Sequence, residues 1–181
     1  MKSVDPREFG TVFGLSVTDD ALRPLRRAAM ERGGYAIEAH PVLVAKSLMW
    51  AVQGSELFGW VVGDWGVWQS VEVPGLYERL RRSEGIAARL IDKPCEVFAS
   101  GETDLALCML AVAVCQAWDV LIVTDEGKRI IHCSHDDYLM VLRSDEEFRR
   151  ELESHWEALG CRRLAPGYFR QLAPGLFGAD E

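Results

Sequence analysis

Between Trp118 and Leu142 the chain reads WDVLIVTDEGKRIIHCSHDDYLMVL, two apolar, β-branched runs separated by Asp125, Glu126 and Gly127. That pattern predicts a strand over Val120–Val123, a tight turn and a returning strand over Lys128–Cys133, and so commits the fold to antiparallel pairing. Just ahead of it, Leu105 to Ala117 is apolar around its whole helical circumference, as expected of a helix buried on every side. With 181 residues, 49% of them hydrophobic, the chain has enough apolar surface to close one core. The expected architecture is therefore α+β, one compact domain over residues 1–181: a mostly antiparallel sheet packed against a buried central helix and flanking helices.

Other elements fall around this centre. Phe9–Val17 has strand composition, and Thr18, Asp19 and Asp20 offer capping oxygens for a helix through Met30, although Pro24 favours a start near Arg23 because it lacks an N–H to bond one turn back. His40-Pro41 opens a second helix, Leu57–Val73 reads as a hairpin or bulged strand pair turning near Gly63-Asp64, and Pro74 starts a charged helix to Ser83. Cys95–Ala99 has strand character, and Tyr138–Leu142 fits either a third strand or a helix start. Ser144 and Glu147 form a capping-box pattern ahead of a helix to Leu159, with Phe148, Leu152, His155, Trp156 and Leu159 as its inward stripe. The tail repeats LAPGYF and LAPGLF eight residues apart, which makes residues 161–181 a candidate docking tail.

Composition narrows the function. A net charge of −8 argues against a nucleic-acid surface, which relies on clustered Lys and Arg. Charged residues at Lys2, Asp5, Arg7 and Glu8 do not suit a secretory leader, and no apolar run reaches a membrane span. The five cysteines are odd in number and carry no CxxC pair, as expected of reduced thiols in a cytoplasmic protein. Cys108 and Cys115, seven apart on one helix, read as core packing.

The densest chemistry lies at His132, Cys133, Ser134, His135, Asp136 and Asp137. Imidazole and carboxylate suit metal binding or proton transfer. On a continuing strand, however, the two histidines point to opposite faces and meet only if the chain turns at Ser134. Ser134, Asp136 or Asp137 capping that turn is the simpler expectation, and Cys133 lacks the setting of a thiol nucleophile. No phosphate-cradling glycine loop is present. No cofactor, metal or catalytic residue is therefore assigned. Trp60, Trp65 and Trp68 fill a core or anchor an interface. From Asp136 to Glu157 eight acids stand against three arginines, with Glu147 and Glu151 one helical turn apart.

The segment WDVLIVTDEGKRIIHCSHDD, followed by the SDEE-started helix, resembles the build of immunity proteins of bacterial toxin systems, an acidic element fed by a strand pair. The resemblance implies a non-enzymatic inhibitor that forms a tight complex with a cognate toxin. Electrostatic steering toward a basic toxin surface is consistent with the charge. Expected contacts are Asp136, Asp137, Glu147 and Glu151, with Trp60, Trp65 or Trp68 as apolar anchors, and neither nucleic acid nor membrane as partner. Two alternatives are a small metal-dependent or Cys/His hydrolase centred on His132, His135 and Asp136, and an adaptor subunit docking through its tail.

Overall fold

The structure is a computed structural model that describes residues 1–63 and 74–172. Its centre is an antiparallel sheet of eight strands: β1 (Lys2–Val4), β2 (Gly34–Ala36), β3 (Leu57–Gly63), β4 (Cys95–Ala99), β5 (Asp119–Thr124), β6 (Arg129–Ser134), β7 (Tyr138–Arg143) and β8 (Arg162–Leu164). Their spatial order is β1-β4-β3-β5-β6-β7-β2-β8. The expected hairpin is β5–β6, with Leu121 opposite His132 and Thr124 opposite Arg129. Tyr138–Leu142 lies within β7, which extends the hairpin to a meander. The α+β expectation holds.

Alternation along the strands divides the core into two layers. On one face Trp60, Ile122, Ile131 and Leu139 pack under helices α3 (Pro41–Trp50), α4 (Pro74–Ser83), α5 (Thr103–Cys115) and α6 (Glu146–Ala158). On the other, Val97, Leu121, Ile130 and Met140 pack under α1 (Pro6–Phe13), α2 (Asp19–Arg32) and α7 (Pro166–Leu172). Gly59 permits the closest approach: a Cβ there would lie 2.4 Å from the Glu96 carbonyl oxygen and 2.9 Å from the Phe9 ring.

Several expectations need correction. Residues 9–13 are helical, because Asp5 accepts hydrogen bonds from the Arg7 and Glu8 amides, Pro6 sits in the first turn, and Gly14 closes the helix at φ +63°. Phe9 and Phe13, one turn apart, then face the sheet together. The next helix starts at Asp19 and carries Pro24 inside it. Pro24 is exposed, so water can satisfy the carbonyl its missing N–H leaves unbonded. Strand β3 is flanked by β4 and β5; the second half of the expected hairpin, like Trp65, Trp68 and the LAPGLF copy beyond Leu172, lies outside the described residues. The first copy, LAPGYF, contributes Leu164 to the end of β8 and buried Phe169 to α7, so this part of the expected tail is folded.

Helix α5 is not buried all the way round, although Leu105, Leu107, Ala111 and Val112 are partly buried against the core. Ala106, Met109, Leu110 and Ala113 face the core, whereas Cys108 and Cys115 share an exposed stripe and are not core packing. Its apolar circumference had hidden the outward face. The cap of α6 shifts by one residue: the Asp145 carboxylate, rather than Ser144, accepts from the Phe148 amide at 2.8 Å.

Candidate functional site

Helix α6 presents Phe148, Leu152 and Trp156 to the core and turns Glu147, Glu151 and His155 outward. His155 leaves the expected inward stripe because it lies on the indole of Trp50, with ring centroids 4.3 Å apart. The same indole stacks at 5.8 Å and 13° on Phe148, and the Arg129 guanidinium covers Phe148 at 4.1 Å. These residues leave a shallow groove of about 570 Å3 lined by Trp50, Glu147, Arg150, Glu151, Ser154 and His155. Arg149 pairs with Glu146 at 2.6 Å. Among the described residues Glu147 and Glu151 form no ion pair, so their charge faces solvent beside a half-buried aromatic ring.

The acids expected to act together occupy two places. Asp136 and Asp137 sit in the β6–β7 loop, whereas α6 begins beyond the far end of β7. Six strand residues at about 3.3 Å each span roughly 20 Å, so Glu147 lies far from the loop. Trp60 is fully buried and donates its indole N–H to the Tyr77 hydroxyl at 2.8 Å; it belongs to the core and not to a surface. The aromatic residue that does accompany Glu147 and Glu151 is Trp50. Sequence reasoning passed over it, since a single Trp at the end of an apolar helix reads as core.

The histidine cluster is assembled by a residue that sequence reasoning also missed, Asp119. Leu121 is opposite His132 in the ladder, and Asp119, two residues earlier, projects from the same face. The chain turns after Ser134 through a three-residue loop: Asp137 donates its amide to the Ser134 carbonyl and adopts φ +58°, the left-handed position that closes such loops. His135 therefore folds back, donating its amide to Asp119 Oδ1 at 2.7 Å with ring Nδ1 at 3.1 Å. His132 Nε2 lies 3.5 Å from the same oxygen, and Asp136 Oδ1 lies 3.5 Å from His135 Nε2. Turn capping is observed as well, with the Asp136 amide donating to Ser134 Oγ at 3.2 Å.

Chemically, the cluster orients two imidazoles about one carboxylate. Among the described residues no group of three or more His, Cys, Asp or Glu side chains is arranged to hold a metal ion. Cys133 points to the opposite face of the sheet, where burial and the charges of Asp119 and Asp137 hold its thiol protonated, well above the usual range; a thiolate nucleophile is disfavoured there. Among the described residues, no helix is long and apolar enough to cross a membrane. Comparison of the chain with known protein families, curated proteins and solved structures gives no match.

Proposed function

We propose that this protein is a binding protein that captures a partner with a basic surface, and that it acts as an inhibitor of the immunity type, neutralising a toxin by occupying it. The observation that carries this reading is the pairing of Trp50 with unpaired Glu147 and Glu151 in one exposed groove. Interfaces draw most of their affinity from a few aromatic anchors in partly desolvated settings, while surrounding charge governs encounter and selectivity. The net charge of −8 adds long-range attraction for a basic partner. Asp136 and Asp137, on a separate edge, extend the negative field and are not required for the anchor.

Capture from native cells with immobilised protein, in parallel with Trp50→Ala and with the Glu147→Lys/Glu151→Lys double variant, tests the reading. One basic protein retained by the parent and lost from both variants, and whose toxicity the parent suppresses, is the expected result. A partner retained equally by all three, or no specific partner, contradicts it.

A further inference from the structure

The opposite face of the sheet carries a cavity that the partner-binding reading does not use. It has a volume of about 210 Å3 and lies between the N-terminal half of α2 and the ends of β3, β5 and β6. Val17, Leu22, Val61 and Leu121 form apolar walls, and Arg26, Asp119 and His132 form a polar end. His132 is 3% exposed, yet among the described residues neither of its ring nitrogens has a hydrogen-bond partner. Asp119 Oδ1, at 3.5 Å, is beyond good hydrogen-bond distance. Among the described residues Arg26 Nε likewise has no hydrogen-bond partner, while its Nη1 pairs with Asp19 at 3.2 Å. Buried polar groups in native proteins are almost always satisfied by protein, water or ligand, so two orphans on one cavity point to an occupant.

Size and charge restrict that occupant. A space of about 210 Å3 suits a small molecule built on one ring. A carboxylate or phosphate would meet Asp119 and Asp19, and an ammonium would meet Arg26. A neutral group that both accepts and donates avoids both conflicts. Neutral imidazole offers one donor and one acceptor, Arg26 Nε only a donor, and the Asp119 carboxylate only acceptors. A planar amide edge complements this set.

We propose that the cavity binds a small neutral single-ring ligand through an amide edge, its carbonyl oxygen accepting from Arg26 Nε–H and its N–H donating to His132. An aromatic carboxamide and a pyrimidine lactam share this chemistry, with the ring held between Leu22 and Leu121.

Titration of the protein, with its histidine ring nitrogens observed by NMR, against nicotinamide, uracil, benzoate and benzylamine provides the test. Saturable shifts of the His132 nitrogens with nicotinamide or uracil are expected, and whichever binds more tightly identifies the carboxamide or lactam source. Arg26→Lys keeps a cation for Asp19 but lacks Nε, and should weaken the amide about tenfold or more, equivalent to about 1.4 kcal/mol; His132→Gln, which retains a donor and an acceptor, should keep part of the affinity. The Glu147→Lys/Glu151→Lys variant should bind the amide normally, which separates this site from the partner groove. Absence of any saturable shift with either amide would mean a hydrated cavity only and would overturn the proposal. So would tighter binding of benzoate or benzylamine, or unchanged amide affinity in Arg26→Lys.

Discussion

Glu96 and Arg81 form an ion pair inside the protein, 2.9 Å apart and almost wholly excluded from solvent. Ser3 donates its hydroxyl to Glu96, and Arg81 Nη2 donates to the Lys93 carbonyl at 2.8 Å, so the pair ties β1 and α4 to the sheet. Burial nevertheless dominates and lifts the Glu96 carboxyl from 4.5 to about 7, against the opposing pull of Ser3 and Arg81. The folded chain therefore binds more protons here than the unfolded chain between about pH 4.5 and 7, and this group's contribution to stability falls as pH rises through that window. Glu96→Gln removes the titration. In urea unfolding, its stability relative to the parent should improve across that range, by an amount on the order of 3 kcal/mol at most; a parent that instead gains on the variant would show that pairing with Arg81 outweighs desolvation. Tyr77→Phe should cost about 1–3 kcal/mol, because the buried Trp60 N–H loses its acceptor. Equal stability of parent and variant would show that another acceptor replaces it. Partnerships of this kind are the least legible part of the sequence. Asp119 meets His132 and His135 only through strand register and a turn, neither of which residue spacing reveals.

Elements were legible where a local pattern was reinforced by its neighbours. The β5–β6 hairpin has β-branched runs on both sides of Asp125-Glu126-Gly127, and α4 begins at the proline that marks it. The first helix was misread because its Phe and Val content suits a strand, while the deciding signal was Asp5-Pro6 before it. Asp5→Ala should lower the midpoint of thermal or urea unfolding by freeing two amides; an unchanged midpoint would show that the cap does not stabilise the helix. In α5 composition alone could not tell the inward from the outward face. Leu110 is fully buried, so Leu110→Asp should prevent folding, seen as loss of the cooperative unfolding transition. Cys108 and Cys115 are exposed whereas Cys95, Cys133 and Cys161 are buried. Brief alkylation of the native protein should accordingly label Cys108 and Cys115 and spare the other three. Rapid labelling of Cys133 would mean that the core face of β6 is accessible, contrary to its burial in the helix-covered core.

At the scale of the whole molecule, the sheet separates two faces with different chemistry. One carries the acidic, aromatic groove of α6, and the other the cavity beneath α2 with its polar end at Arg26, Asp119 and His132. The excess of acids from Asp136 to Glu157 was readable from composition, but its division into a loop pair and a helix pair depends on β7 lying between them. Trp50 could not be assigned to the acidic face until α3 was seen to pack beside α6. If the groove captures a partner as proposed, long-range charge and short-range anchoring coincide there, and each should leave its own kinetic signature. Surface carboxylates act mainly on association, with an effect that salt screens over a Debye length of about 10 Å at 0.1 M, whereas loss of an aromatic anchor acts mainly on dissociation. The most direct test is stopped-flow association of the captured partner with the parent and with Glu147→Lys/Glu151→Lys at low and high salt. The account predicts faster capture by the parent at low salt, with the two rates converging as salt rises and both proteins remaining folded. Equal rates for the two proteins at every salt concentration would contradict it.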